Sequence, residues 1–405
     1  MARILYISYD GLMEPLGQSQ IWQYLRQLTK EHKITLVTYE KKRDWSNVSA
    51  REILKSEVRC AGIEWVPLRY HKRPTVPATA YDLLVGFLVS SYLVWIRRIQ
   101  IVHARSYVPS ILALALKKSF GVRFLFDMRG LWADERLDAG LWHGGSLIYH
   151  LAKYFEKKFL RHADHTVVLT YAGLEAIKQF DFLNGRKPRL EVIRTCVNLE
   201  LFKPLTSPGK NREEFFTLGY VGNAASWYMF DPVLECFKIL REFENNARLL
   251  IVNRDQHSYI KTRQTQFHIP EEAVELKAVS YAKIPDEMKR MNAGIFFIKP
   301  TFSKKASMPT RLGEYLASGI PCLCNAGIGD IDRILEKENA GVILRDFTAE
   351  AKIDAVRKLM KLAKDPEISN RCVFVAQEYF ALGEGVASYD RIYHSIEREI
   401  VKSRS

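Results

Sequence analysis

The sequence predicts an α/β protein of two Rossmann-like, doubly wound domains, and three observations predict it. Apolar runs alternate with amphipathic stretches of helical period along most of the chain, the pattern of a parallel sheet covered by helices. The alternation restarts after a polar stretch near the middle, Thr206 to Glu214. The length, 405 residues, is large for a single core, so two domains are the natural division.

In chain order, Arg3–Ser8 reads as a first parallel strand, followed by a glycine-bearing loop over Asp10–Ser19 and a helix from about Gln20 to Thr29. Further strands are expected at Ile34–Thr38, Ile63–Val66, Ile101–Ala104, Arg123–Phe126 and Thr166–Leu169, with helices between most of them. The second unit reads as strands at Phe216–Gly222, Arg248–Val252, Val274–Leu276, Gly294–Ile298, Pro321–Cys324 and Gly341–Leu344. The expected division is 1–205, 206–382 and a C-terminal segment, 383–405, whose helix over Tyr389–Val401 packs back on the first domain. Two such halves place a ligand cleft between the carboxyl ends of the two sheets.

Composition narrows the function. Hydrophobic residues at 47% and charged residues at 26% describe a folded globular chain. The net charge of +14 and pI near 9.4 call for an anionic partner. The basic residues are scattered as pairs such as Lys41-Lys42, Arg97-Arg98 and Lys157-Lys158, without the signature of a nucleic-acid module. Nucleic acid is set aside, leaving a phosphorylated small molecule or an anionic membrane surface. The six cysteines have neither metal-ligand spacing nor a disulfide framework, which suits a reduced, cytoplasmic protein. The start, Met1-Ala2-Arg3-Ile4, runs into a strand without the features of a signal peptide. The uncharged segment Leu83–Ile96 is expected to be too short to cross a bilayer, at about 21 Å of helix against a core of about 30 Å. It reads as a buried helix, or as an interfacial one with Trp95, Arg97 and Arg98 at the headgroups.

The most specific stretch is Lys299–Leu344, KPTFSKKASMPTRLGEYLASGIPCLCNAGIGDIDRILEKENAGVIL. A strand ends in a lysine-bearing loop, and a helix follows with Ser307 as expected N-cap and Pro309 in its first turn. That order makes an anion pocket, because free amides and the helix dipole face the loop. Arg311 lies on this helix, and Glu314, about one turn in, is placed to accept two hydrogen bonds from a vicinal diol. Phosphate at a helix tip and a ribose beside its first turn describe a nucleotide diphosphate.

These residues resemble the donor-nucleotide signature of the GT-B glycosyltransferases, especially the retaining family 4, in which a Glu within a segment like EYLASGIP grips the ribose. VIRTCVNLELFKP, FEKKFLRHADHTVVLT and AGIGDIDRILEKENAGVIL are similar to further family segments in the expected order, so the resemblance covers nearly the whole chain. It implies a GT-B fold and transfer of a hexosyl or related sugar from a nucleotide-diphosphate sugar. It implies no metal cofactor, because helix ends and basic side chains neutralise the leaving group. The acceptor is expected to be a lipid-linked sugar or oligosaccharide in surface polysaccharide biosynthesis, at the inner face of a membrane.

Residue by residue, the resemblance assigns Ser307, Thr310 and Arg311 to the phosphates, with Lys304 or Lys305 assisting, and Glu314 to the ribose. Ala306 stands where the family carries its sugar-binding glutamate, which leaves that contact to Ser303, Lys304 or backbone. The loop after the first strand of the second domain has Asn223 in place of a basic residue. Arg254 resembles the second phosphate ligand, and Tyr281 sits where the base is placed. Gly17, Gln18 and Ser19 are similar to the glycine loop that approaches donor and acceptor, opening a helix. Arg129 is expected to hold donor or acceptor, with Asp134 or Glu135 orienting a hydroxyl; a buried Arg–Asp pair shaping the loop is the rival reading. His103 and Arg105 are further strand-end candidates. Asp330-Ile331-Asp332 reads as helix capping, and His162 with His165 as ordinary histidines. A sugar-nucleotide epimerase and a non-catalytic nucleotide-binding membrane scaffold remain as alternatives.

Overall fold

The computed structural model describes residues 1–185, 188–204 and 215–402. The expected linker, Thr206–Glu214, lies outside the described residues. The chain forms two compact units, Met1–Arg194 with Leu382–Ser405, and Thr195–Ala381. Thr195 belongs to the second unit because its hydroxyl donates to Met308 O at 2.9 Å. Two residues on, Val197 bridges to Ala381.

The first unit is built on strands β1 (Arg3–Ser8), β2 (Lys33–Glu40), β3 (Glu64–Arg69), β4 (Ile101–Arg105), β5 (Arg123–Asp127), β6 (His165–Val168) and β7 (Leu190–Val192). They pair in the order β3-β2-β1-β4-β5-β6-β7, every pair parallel. Its helices are α1 (Pro15–Gly17), α2 (Gln23–Leu28), α3 (Lys42–Trp45), α4 (Val48–Cys60), α5 (Thr75–Ile96), α6 (Tyr107–Phe120), α7 (Trp132–Asp138), α8 (Leu147–His162) and α9 (Tyr171–Lys178). The second unit carries β8 (Thr217–Val221), β9 (Arg248–Val252), β10 (Val274–Lys277), β11 (Ala293–Phe296), β12 (Cys322–Asn325) and β13 (Gly341–Leu344). Their order is β10-β9-β8-β11-β12-β13, again parallel. Around them lie α10 (Phe230–Phe243), α11 (His257–Gln266), α12 (Ile284–Met288), α13 (Thr310–Ala317), α14 (Ile331–Glu338), α15 (Ala349–Ala363) and α16 (Ile368–Phe380). The last helix, α17 (Leu382–Lys402), belongs to the first unit and packs on α2. It starts seven positions ahead of Tyr389, the start that the sequence pattern predicts.

Both sheets reverse strand order at β1/β4 and at β8/β11, and the loops at these carboxyl edges are where ligands bind in such sheets. The strands are continuous apolar runs because helices cover both faces; Ile4, Leu5, Ile7, Phe124, Leu250 and Ile295 are all sealed in. All six cysteines are free thiols.

Two expectations are corrected. The first helix does not open at Gly17 or Gln20: helical backbone starts at Pro15 and continues through a π-turn over Gln18–Trp22 into α2. Gly17 lies inside the first turn, where a Cβ would meet Gly11 O at 2.1 Å. Nor does the apolar helix start at Leu83. It spans Thr75–Ile96 and is, among the described residues, long and apolar enough by length and composition to cross a membrane. Asp82 does not interrupt it, because its carboxylate is buried and satisfied. Tyr9 Oη and His71 N donate to Oδ2 at 2.8 and 3.0 Å, and His71 Nδ1 lies 2.6 Å from Oδ1.

The close approach at Gly17 yields a prediction. Gly17→Ala forces a side-chain carbon into backbone, which cannot rotate away, and is expected to cost about 1–3 kcal/mol. Gly383→Ala, a control with nothing within 4 Å of the added carbon, is expected to be neutral or slightly stabilising. Thermal unfolding of the two variants against wild type checks this.

Candidate functional site

In the second unit, the segment after β8 is drawn over the segment after β11. Tyr228 bridges to Ile298, Met229 N donates to Phe297 O, and Lys299 N donates to Trp227 O at 3.0 Å. Asn325 at the end of β12 fixes Ile298 from the other side, through Ile298 N to Oδ1 at 2.8 Å and Nδ2 to Ile298 O at 2.9 Å. The loop over Gly222–Ala224 is tied to the loop after β9: Asn253 Nδ2 donates to Gly222 O at 2.9 Å, and Ala224 N donates to Gln256 Oε1 at 2.7 Å. Asn223 and Arg254 are exposed on these two locked loops.

The chain then turns through a 3₁₀ segment, Phe302–Ala306. Ser303 is fully buried, with its hydroxyl 3.2 Å from that of Thr301, and Lys304 is buried beside it. The Lys304 ammonium lies 3.9 Å from the centre of the Trp227 ring, within cation–π range. Ser307 is not the N-cap. It closes the 3₁₀ segment, its N–H donating to Lys304 O at 3.1 Å, and Pro309 holds the cap position of α13. Proline offers no side-chain acceptor, so no side chain caps this helix. Thr310 is its first residue.

From Arg311 to Ala317 every residue of α13 is buried. Tyr315 holds the helix under the sheet, its hydroxyl donating to Gly219 O at 2.9 Å; a Cβ on Gly294 would lie 2.9 Å from its ring. Arg311 is enclosed by Tyr228, Tyr220 and Phe296, 4.2, 5.5 and 5.5 Å from guanidinium carbon to ring centre. Its Nη1 has no hydrogen-bond partner among the described residues. Gly222, at φ +107°, must be glycine twice over, since a Cβ there would sit 2.3 Å from Arg311 Nη2. Glu314, one turn on, is 6% exposed. Among the described residues its carboxylate accepts no hydrogen bond. Burial pushes its pKa up to about 7, against the opposing charge of Arg311. A buried carboxylate with that displacement and no internal hydrogen bond is the pattern of a candidate ligand site.

Tyr281 is half-buried, its ring 5.9 Å from that of Phe202. Asp330 stands at the cap position of α14 but makes no side-chain cap bond, and Asp332 receives Arg333 N in the first turn. In the first unit the loop expected to approach phosphate is closed by an internal anion. Glu40, buried, takes Leu12 N at 2.6 Å, Met13 N at 3.3 Å and the Thr38 hydroxyl at 2.6 Å. Gln18 Nε2 donates to Leu12 O at 2.8 Å in the same turn.

Arg129 sits at φ +57° with its guanidinium turned inward, 3.7 Å from Asp127 and 3.2 Å from Gln20 Oε1. Burial alone would raise Asp127, but Arg129, His103 and Arg105 hold it below the ordinary carboxylate value. His103 lies 3.6 Å from Asp127 and 2.6 Å from Tyr393 Oη, its pKa lowered by burial. Asp134 belongs to a separate network, accepting Tyr149 Oη and Lys153 Nζ at 2.9 Å each. Trp227, Tyr228, Asn253 and Gln256, which build the second unit's cluster, are not marked by any sequence motif. The Trp-Tyr pair in an otherwise small-residue loop is the one signal that could have found them.

Two family models match the chain in succession, a glycosyl transferase 4-like domain over residues 18–196 and glycosyl transferases group 1 over residues 205–373. Among solved structures, sucrose-phosphate synthase from Thermosynechococcus elongatus is similar at TM-score 0.73 and 12% identity, over 98% of this chain and 100% of that one. HepE from Anabaena in complex with UDP-glucose gives 0.68 and 12%, over 98% and 100%. WaaG, a glycosyltransferase involved in lipopolysaccharide biosynthesis, gives 0.63 and 12%, over 95% and 98%. No curated protein matches the sequence. With two parallel-sheet α/β units, the matching domains in order and these folds, the chain belongs to the GT-B glycosyltransferases of the family 4-like, group 1 type.

Proposed function

We propose that this glycosyltransferase takes a nucleotide-diphosphate sugar as donor and transfers a hexosyl or related sugar, with retention, to a lipid-linked or oligosaccharide acceptor in surface polysaccharide biosynthesis. The reading places the protein in the cytoplasm, at the inner face of a membrane. The observation that carries it is the buried Glu314 carboxylate without an internal hydrogen bond, one turn from the uncapped start of α13. A ribose diol supplies the two O–H donors that this group lacks, and the proton is lost as they bind. The diphosphate then falls at the helix tip, within reach of Thr310, Lys304 or Lys305, and Arg254. Those charges disperse the negative charge of the leaving group, so the reading needs no metal. HepE, similar in fold, binds UDP-glucose, which makes that compound the first donor to try.

One observation favours a second reading, a non-catalytic nucleotide binder. Arg129 and Asp134, the residues of the first unit that the sequence offers for chemistry, are both engaged in internal networks. Turnover with a panel of nucleotide sugars separates the two, since transfer or hydrolysis of any donor removes the binder.

Four outcomes are expected. Glu314→Ala loses at least tenfold in UDP-glucose affinity by calorimetry, and an unchanged value would remove the ribose assignment. Only the ionised carboxylate accepts both diol protons, so wild-type affinity rises about tenfold between pH 6 and pH 8 while Glu314→Gln stays flat. In the unliganded protein the sign is opposite. A carboxyl whose folded pKa is raised contributes its stability below about pH 4.5 and loses it as pH climbs through about 7. Glu314→Gln is therefore expected to melt above wild type at pH 8, by up to about 3 kcal/mol in stability, with the gap closing near pH 4.5. Activity is also expected to survive EDTA; loss restored by Mn²⁺ would reopen Asp330 and Asp332 as ligands.

A further inference from the structure

Helix α5 inverts the usual order of a surface helix. Its inward face carries Ala78, Asp82, Gly86 and Ser90, with Leu93 and Val94 at the end. Asp82 is held there by Tyr9 and His71. At Gly86 a Cβ would lie 1.9 Å from the Tyr39 hydroxyl, which itself donates to Asp82 O at 2.8 Å. The outward face carries Tyr81, Leu84, Leu88, Tyr92 and Trp95, each between 55% and 74% exposed. Spacings of three and four residues align these five in one stripe, about 21 Å long at the helical rise. Isolated exposed apolar side chains are ordinary, whereas a continuous stripe of this size marks an interaction surface.

The neighbouring surface says what covers it. α5 packs on α6, and α6 on α8. Right-handed crossovers set all three on the same side of the first unit's sheet. Across α5, α6 and α8 the acidic residues are Asp82 and Glu156, and both are buried. The outward faces of these three helices thus carry no carboxylate. They do carry Lys118 on α6 and Lys157 and Lys158 on α8, with Arg98 directly after α5; Lys117, Arg161 and Arg97 are tied to Asp164, Phe182 O and Glu64. Leu147, Leu151 and Tyr154, more than half exposed, extend the apolar surface along α8.

We infer that this layer is a membrane-docking face, on which α5 lies parallel to an anionic bilayer with its tyrosine and tryptophan at the headgroup level. Amphipathic aromatics, an aliphatic centre and flanking lysines on helices whose outward faces carry no carboxylate are the composition that an anionic lipid surface recognises. The helix lies on the bilayer and does not cross it. Its inward face is committed to Tyr9, Tyr39 and His71, and the two strands it joins, β3 and β4, sit in the same sheet. The inference rests on the proposed membrane-face acceptor and supplies the surface that would present the enzyme to it.

The test uses the full chain and co-sedimentation with vesicles of phosphatidylcholine alone or with phosphatidylglycerol added. Wild type is expected to sediment at least tenfold better with the anionic vesicles, and less as salt rises. Leu88→Glu and Trp95→Glu, both at exposed positions, are expected to cut that binding at least tenfold with unchanged melting temperature. Lys157→Glu with Lys158→Glu is expected to remove the preference for anionic lipid. No sedimentation of wild type, or full binding by Leu88→Glu, overturns the inference. So does a wild-type dimer that Leu88→Glu converts to monomer without vesicle binding, since a second copy then covers the stripe. Calorimetry with UDP-glucose, run without vesicles, separates the two proposals: lost donor binding with intact sedimentation rejects the nucleotide reading alone, and the reverse rejects this one alone.

Discussion

A charge placed in the interior is unfavourable by several kcal/mol unless it is paired, and the second unit holds two buried ionisable groups on one helix. Glu314 and Arg311 lie a turn apart on α13, and among the described residues no other part of the unit gives either a counterion. Arg311 faces three aromatic rings and leaves Nη1 unbonded. Glu314 accepts no hydrogen bond from them and is pushed toward neutrality. Much of the local sequence is explicable as what this arrangement requires. Gly222 leaves room for the guanidinium, Tyr315 anchors the helix to Gly219 O, and Asn253 with Gln256 fixes the loop that closes over it.

The first unit shows the opposite solution to the same problem. Arg129 is also buried, and also at an unusual backbone position, but Asp127 and Gln20 meet it, and His103 and Arg105 share the carboxylate. The glycine turn after β1 is likewise satisfied from within, by Glu40. The first unit's cluster is compensated in charge, although among the described residues His103 Nε2, Arg105 Nε and Asp127 Oδ1 keep no hydrogen-bond partner, as Arg311 Nη1 keeps none in the second unit. The counterion that Arg129 has in Asp127, 3.7 Å away, is what separates the two buried arginines.

Strand positions were legible because each is a short apolar run ended by polar or glycine-bearing turns, and a strand buried on both faces needs nothing subtler. The place of Glu314, one turn into a helix that follows a strand and a basic loop, was legible from the local pattern, whereas its burial without a hydrogen bond was not. The cap was not. Ser307 has the chemistry of an N-cap, but the 3₁₀ segment before it uses its backbone, and the helix starts three residues later behind Pro309. The aromatic enclosure was not legible either. It joins Tyr228 to Ile298 and Trp227 to Lys304 across some seventy residues, and no local periodicity reports such pairs.

Helix α5 exposes a more general weakness in reading hydropathy. Asp82 ends the apolar segment in the sequence because a charge normally signals solvent, and the length argument built on that end then fails. In the fold the charge points inward, and Leu84 and Leu88 point out. An amphipathic pattern tells which residues share a face, but which face meets the core depends on what the core offers. Here the core offers the hydroxyls of Tyr9 and Tyr39 and the His71 ring, which hold an aspartate and a glycine-sized gap better than they would a leucine. Once the polar face is held inside, the apolar one has no place but the surface. The same hydrogen bonds that seat the helix on its sheet therefore create the stripe on its far side.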